Sequence, residues 1–415
     1  MQTVIPDELV NDPRVQKAEE ILRNCVHCGF CLATCPTYQL LGDELDSPRG
    51  RIYLIKQVVE GGTPTRSTMM HLDRCLTCRN CETTCPSGVS YGHLVDQGRS
   101  LVEEQVSRPL KDRVMRSIVK RVLPYPNRIG PLVKLGQSVR SVLPKSIGNS
   151  IPIKQQAMPL PTRTHKRKML VLDGCVQPSM SPATNASAMR VMDALGIQVQ
   201  SVASAGCCGA IHFHLNDQPA AKAFMKRNID AWWPHIEAGA ERIITTASGC
   251  GLMVKDYADA LADDPYADKA RRISELCCDL VEAISGEDLE QFLGAAEPFG
   301  SVAYHPPCTL QHGQKLSGSV EALLRQLGFN LTPVPDNHLC CGSAGTYSLF
   351  QPKLSKQLRD NKVASILTGE PDLIATANIG CQLQLQTGLG RPVLHWVELL
   401  DQMISKSGSR AAHTN

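Results

Sequence analysis

Eight cysteines near the amino terminus fall into two copies of one spacing. Cys25, Cys28, Cys31 and Cys35 are followed by Pro36, and Cys75, Cys78, Cys81 and Cys85 by Pro86. Three thiolates from one tight loop can occupy three corners of a tetrahedron around a soft inorganic core, and the fourth must arrive from elsewhere. The Cys-x2-Cys-x2-Cys-x3-Cys-Pro run is the bacterial ferredoxin spacing, in which the fourth cysteine serves the neighbouring [4Fe–4S] cluster. The spacing therefore assigns Cys25, Cys28, Cys31 and Cys85 to one cluster, and Cys75, Cys78, Cys81 and Cys35 to a second. Zinc sites also use Cys-x2-Cys, but zinc accounts for neither the third cysteine nor the distant fourth in both copies. Two neighbouring clusters suit a wire for single electrons. Between the motifs, Ser47-Pro48-Arg49-Gly50-Arg51 reads as an N-cap with proline at the first helical position. Arg49 and Arg51 are then expected either beside the clusters, raising their potentials, or on the plain surface.

A second cysteine system occupies the carboxyl-terminal half. KMLVLDGC (168–175) pairs with SVAYHPPC (301–308), GIQVQSVASAGCCG (196–209) with GFNLTPVPDNHLCCG (328–342), and RIITTASGC (242–250) with DLIATANIGC (372–381). Cys175 and Cys308, Cys207 and Cys340, and Cys208 and Cys341 are each 133 residues apart, which marks an internal duplication. Each segment reads as a strand entering a cysteine loop, with helical patterns such as 181–196 and 319–328 between them, both ending in glycine. In a parallel, doubly wound sheet, Cys175, Cys207, Cys208 and Cys250, and likewise Cys308, Cys340, Cys341 and Cys381, gather at the carboxyl edge, where such folds bind ligands. They are read as donors to at least one further iron–sulfur centre, with a single metal ion or redox-active thiols as alternatives. Cys277 and Cys278 lack counterparts and fall in a helical pattern, ISELCCDLVEAI, as core residues. His212, His214, His305, His312 and His338 fall in loops near the cysteines, each taken singly as structural rather than catalytic. No catalytic constellation for substrate chemistry stands out, and no Gly-x-Gly-x-x-Gly follows a strand, so neither flavin nor nicotinamide is expected in this chain.

These motifs divide 415 residues into a two-cluster ferredoxin-type domain (12–105), a basic helical connector (106–167) and two cysteine-rich α/β repeats (168–290 and 300–405). The fold class expected is α+β multidomain, with a helical ferredoxin-like part before the duplicated Cys-Cys-Gly domain. A net charge of +3 gives no argument for nucleic acid. The opening residues, MQTVIPDELVNDPRV, have no apolar leader pattern, and no run of apolar residues is long enough to span a bilayer. Eighteen cysteines in a reducing compartment read as metal ligands rather than disulfides. Between Arg108 and Lys168 the connector holds one acidic residue, Asp112, among recurrent Lys and Arg. Leu110, Val114, Ile118 and Val122 form one helical stripe. Such a helix either lies on an anionic membrane or packs on its own domain or a partner, and Pro124, Pro126 and Pro131 are expected to break any long helix.

The strings CVHCGFCLATCPTYQLLGDELDSPRGRIYLIKQ (25–57), HLDRCLTCRNCETTCPSG (71–88), NIDAWWPHIEAGAE (228–241), TASGCG (246–251) and HLCCGSAGTYSL (338–349) are far more specific than the ferredoxin spacing. On them the chain resembles, over nearly its whole length, the iron–sulfur subunits of bacterial glycolate oxidase (glycolate dehydrogenase). The resemblance implies FAD-containing partner subunits that oxidise glycolate to glyoxylate, and D-lactate as well. It implies electrons passing through this subunit towards a membrane quinone or another acceptor, in a cytoplasmic complex held peripherally at the inner membrane. The carboxyl-terminal repeats also resemble the cysteine-rich domains of heterodisulfide reductase and of the third subunit of anaerobic glycerol-3-phosphate dehydrogenase. In that wider family the pattern ends in Cys-x-x-Cys, and some members build a non-cubane [4Fe–4S] cluster there on five cysteines. This sequence has Ala247 and Asn378 three residues before Cys250 and Cys381, one ligand short in each half, which leaves a four-thiolate site. The competing functions are a catalytic Cys-Cys-Gly subunit that reduces a quinone or disulfide, a relay subunit of a related lactate or glycerol-3-phosphate dehydrogenase, and a zinc-stapled scaffold.

Overall fold

The computed structural model describes residues 1–143, 148, 151–155, 159–293 and 299–412. The amino-terminal part is entirely helical, and its helices begin and end at the cysteine loops. Helix α1 (Pro13–Arg23), capped by Asp12 on the Arg14 amide, delivers Cys25. Helix α2 (Pro36–Leu41) starts directly on Cys35, with Pro36 supplying the first-turn geometry. The Ser47 hydroxyl accepts the Gly50 amide to start α3 (Pro48–Val59), as the sequence predicts. Helix α4 (Arg66–Asp73) leads into Cys75, the short α5 (Asn80–Thr83) carries Cys81, and α6 (Tyr91–Gln105) closes the bundle. Leu22, Ile55, Leu72 and Leu94 form its dry centre. Helices α3 and α6 cross at Gly98, where a Cβ would stand 2.5 Å from Ile55.

The connector forms two helices, α7 (Leu110–Val122) and α8 (Pro126–Val139). The break falls at Pro124. Pro126 instead opens α8 at its first turn, and Pro131 lies within that helix, so two of the three prolines do not act as the breakers expected of them. The orientation of α7 is inverted relative to ordinary amphipathic packing. Arg116 and Val119 face the protein, with the Arg116 guanidinium 4.7 Å over the Phe350 ring, while Leu110, Val114 and Ile118 are at least half exposed.

The two cysteine-rich repeats are parallel four-stranded sheets of identical topology. The first runs β2-β1-β3-β4 and the second β6-β5-β7-β8. The strands are β1 (Arg167–Val171), β2 (Ile197–Ser201), β3 (Ile243–Thr245), β4 (Cys277–Asp279), β5 (Ser301–His305), β6 (Asn330–Thr332), β7 (Leu373–Thr376) and β8 (Leu394–His395). The strand order reverses between β1 and β3 and again between β5 and β7, so each repeat has a crevice at the carboxyl ends of those strands. The repeats share one core: Val191, Met192 and Ile284 of the first pack with Tyr304, Leu324 and Trp396 of the second. Cys277 and Cys278 are buried as expected, but in β4 rather than in a helix. Helices Ala267–Leu276 and Leu280–Ser285 flank a strand of three residues, too short to interrupt the helical pattern in sequence. Alternation along β4 sends Cys277 and Cys278 into different apolar clusters.

Candidate iron–sulfur site

The two ferredoxin-type loops wind alike. Two residues after the first cysteine, His27 and Thr77 have φ of 56° and 52°; two further on, Gly29 and Arg79 have φ of 85° and 58°. Left-handed turns at the same two positions curl each loop around its own cysteines, and Arg79 accepts strain that Gly29 avoids. The Arg79 guanidinium is held by Asp256 of the first cysteine-rich repeat at 2.6 Å.

One cavity is lined by Cys25, Cys28, Cys31 and Cys85, together with Cys81 and Arg49. Another is lined by Cys35, Cys75, Cys78, Cys81 and Arg51, and Tyr91 borders both. The fourth cysteine of each motif thus lies with the other motif's first three. Burial pushes the Cys31 thiol up to about 11 and raises Cys78 and Cys81 well above the ordinary thiol range. Buried thiolates gathered so closely need a positive inorganic centre to balance them, and an all-sulfur donor set is what an iron–sulfur cluster takes.

Arginines brace both loops. Arg51 is 1% exposed; it donates to the His71 carbonyl at 2.7 Å, the Thr37 hydroxyl at 3.1 Å and Asp46 at 3.3 Å, and its Nη1 stands 4.0 Å from the Cys35 sulfur. Asp46, fully buried, also receives Arg74 at 2.8 Å and His71 at 3.0 Å. Arg99 donates to the Leu72 and Cys75 carbonyls and to the Thr77 hydroxyl. Of the two arginines flagged in the sequence, Arg51 is thus a buried cation beside a cysteine, and Arg49, bonded to Glu44, lines the outer cavity. Tyr91 and Arg99 carry no sequence signal beyond belonging to an amphipathic helix.

In the first repeat the thiols of Cys175, Cys207, Cys208 and Cys250 form a row of interacting neighbours. The neighbouring Cys175 and Cys208 thiols hold Cys207 well below the usual thiol range, and Cys207 in turn raises both of them. Asn228 and Tyr257 donate to the Cys207 and Cys208 carbonyls at 2.9 and 2.8 Å and fix the Cys-Cys-Gly turn. In the second repeat Cys308 and Cys340 lie 3.9 Å apart, and Cys340, Cys341 and Cys381 continue the row. The histidines are less loop-bound than expected. His212 and His214 sit in helix Ala210–His214, His305 ends β5, and His312 lies in the short π-helix Thr309–Gly313.

The inner ferredoxin loop docks on the second repeat. Cys78 and Leu76 pack with Cys308, Cys340 and Tyr347. The Asn80 amide donates to the His338 carbonyl at 3.1 Å, and His312 bridges Thr83, at 3.1 Å, to that same carbonyl, at 2.9 Å. The outer loop faces solvent, with Cys28 exposed between Val26 (68% exposed) and Phe30 (62%).

Residues 21–89 match the family model of the 4Fe-4S dicluster domain, and residues 169–255 and 302–386 each match that of the cysteine-rich domain. Fold and site together define a dicluster iron–sulfur protein with a duplicated cysteine-rich domain. The chain is 54% identical over 98% of its length to the glycolate oxidase iron-sulfur subunit of Escherichia coli (strain K12), covering 100% of that protein. It is 31% identical to the "Probable glycolate oxidase iron-sulfur subunit" of Bacillus subtilis (strain 168), covering 98% of each chain. Lactate utilization protein A of Geobacillus kaustophilus (strain HTA426) is 30% identical over 51% of this chain and 90% of its own. The chain belongs to the family of glycolate oxidase iron–sulfur subunits.

Proposed function

We propose that this chain carries electrons within a glycolate-oxidising complex, receiving them from an FAD-containing partner and passing them towards a membrane quinone. The observation that carries the reading is the exchange of fourth cysteines: Cys85 lines the cavity of Cys25, Cys28 and Cys31, and Cys35 that of Cys75, Cys78 and Cys81. These two sets would hold two [4Fe–4S] clusters, which supply one-electron redox chemistry when bound. Oxidation of glycolate to glyoxylate removes two electrons, so a flavin in the partner must divide the pair. The chain's own part is to hold, screen and tune. Val26 and Phe30 beside exposed Cys28 offer the partner an apolar rim at the outer site, and Arg51 sets a positive charge at the inner one. A further metal centre in the cysteine-rich repeats belongs to the same reading.

Peripheral attachment to the cytoplasmic face of the inner membrane is supported by α7 and α8. Leu110, Ile118, Leu132 and Leu135 are more than half exposed, and exposed Lys111, Arg113, Arg121 and Lys134 accompany them. Among the described residues no helix is long and apolar enough to cross a membrane. The test is co-purification from native cells with iron and flavin analysis. The reading requires about eight irons per copy of this chain, a flavoprotein partner, and cluster reduction on adding glycolate. A complex that reduces its clusters with D-lactate and not glycolate would move the assignment to the lactate reading, which the lactate utilization relatives favour.

A further inference from the structure

The two ferredoxin-type cavities share one wall. Pro48, Cys81 and Tyr91 are the residues that line both, and of the three only Tyr91 brings an O–H group. Tyr91 opens α6 and is 3% exposed, and its hydroxyl makes no hydrogen bond of proper geometry among the described residues. Buried hydroxyls are nearly always paired, so a lone one facing a cavity asks for a group bound there. The charges it feels most are those of the Cys75 thiol, Arg51 and Cys81, all of which line the inner cavity. Burial and the Cys75 thiol raise the phenol well above its ordinary range, so its oxygen keeps a proton to donate. The arrangement is one-sided. The second motif repeats the first at an interval of 50 residues, and the position matching Tyr91 is Leu41, which is 38% exposed and lines neither cavity.

We propose that the Tyr91 hydroxyl donates a hydrogen bond to sulfur at the inner cluster site, on the Cys75 side, and so sets the inner potential above the outer one. This deepens the electron-carrier reading and rests on it. A donor aimed at a cluster sulfur withdraws negative charge and favours the reduced state. Arg51 acts in the same sense from the Cys35 side, whereas Arg49 at the outer cavity is already bonded to Glu44. Electrons then have a downhill step inward, from the site whose Cys28 is exposed to the one whose loop is packed on the second repeat. Tyr91 keeps its proton throughout. One electron leaves the outer site as one arrives at the inner, and no covalent bond is made or broken.

The test is a redox titration of the anaerobically purified full-length chain, followed by electron paramagnetic resonance. Wild type is compared with Tyr91→Phe and with Tyr91→3-fluorotyrosine, whose fluorine makes the O–H a stronger donor. Cys35→Ser, which changes a ligand of the inner set, identifies the inner signal as the one it alters or removes. Tyr91→Phe is expected to keep the iron of both sites and to weaken reduction of the inner one about tenfold, ~59 mV for one electron. The outer potential stays where it was. Tyr91→3-fluorotyrosine moves the inner potential the opposite way. Electron–nuclear double resonance after exchange into heavy water shows an exchangeable proton coupled to the inner signal in wild type and not in Tyr91→Phe. Unmoved potentials in Tyr91→Phe, a shift of the outer signal or of both alike, or a fluorotyrosine shift in the same direction as Phe would each overturn the proposal. Loss of iron in Tyr91→Phe would overturn it too, making Tyr91 a structural wall. A wild type lacking two clusters fails the electron-carrier reading, and this proposal with it; two clusters with unmoved potentials fail this proposal alone.

Discussion

At the scale of single residues, the cysteine spacing was the most legible feature, because ligand geometry imposes fixed intervals that survive in sequence. The groups that tune those ligands were only half legible. Arg51 could be flagged as near, but its burial against Asp46, His71 and the Cys35 sulfur comes from α3 and α4 meeting, which no local pattern encodes. His305 looks like any loop histidine until β5 and β7 bring it to Cys341 and Cys381. A charge held 4.0 Å from a cluster-facing sulfur favours the reduced, more negative state. Replacing Arg51 by Leu is therefore expected to lower the potential of the inner cluster by about 50 mV and to destabilise the fold by about 3 kcal/mol. The stability cost sits at the low end for a broken buried pair because Arg74 still pairs with Asp46. Arg51→Lys keeps the charge and loses the fork, so it should keep most of the potential while still losing stability. Redox titration followed by electron paramagnetic resonance, alongside thermal unfolding, checks both. An unchanged potential in Arg51→Leu removes the tuning role.

Among the elements, the strands entering each cysteine loop were readable because apolar runs and terminal glycines repeat in register. Where reading failed, the cause was length or orientation. The three residues of β4 are fewer than any periodicity can reveal. The stripe of α7 was visible, yet a stripe states only that one face is apolar, not whether it turns inward. Here the inward face carries Arg116, held by Asp112 and Asp73 and stacked on Phe350, which leaves the apolar face in water. An exposed apolar face with basic neighbours binds anionic bilayers through buried side chains plus roughly 1 kcal/mol per nearby basic residue. Ile118→Asp with Leu135→Asp is expected to weaken co-sedimentation with vesicles containing phosphatidylglycerol by tenfold or more. Wild type should bind phosphatidylcholine vesicles poorly, and its binding to anionic ones should fall as salt rises. Equal binding of both lipids, or no loss in the double variant alongside normal folding, assigns the face to a protein partner instead.

For the molecule as a whole, the two repeats share one apolar core, and the contact between them carries titratable groups. Helix Pro182–Ala194 of the first repeat meets helix Trp396–Ala412 of the second. Thr184 donates to Glu398 at 2.8 Å, and Ser187 and Arg190 hold Asp401. Burial raises the Glu398 carboxyl to about 7, and burial does the same to Asp279 at the end of β4. Both values lie above those of the unfolded chain. The stability they confer is therefore complete below the ordinary carboxyl range and is lost as pH climbs from about 4.5 to about 7, because the unfolded chain ionises first. As upper bounds, Glu398 removes about 3.5 kcal/mol and Asp279, whose ordinary value lies lower, about 4.5 kcal/mol. Glu398→Gln preserves an acceptor for Thr184 and cannot ionise, so thermal unfolding of the full chain should fall less steeply between pH 5 and pH 8 than in wild type. The remaining slope belongs partly to Asp279, whose replacement by Asn keeps the N-cap on Val281. Combining the two substitutions should flatten the profile further, in near-additive steps, since Glu398 and Asp279 share no contact among those described. A wild-type profile that rises across this range, or a Glu398→Gln profile parallel to it, would mean that Glu398 is ionised in the folded chain and that the inter-repeat contact tolerates a charge.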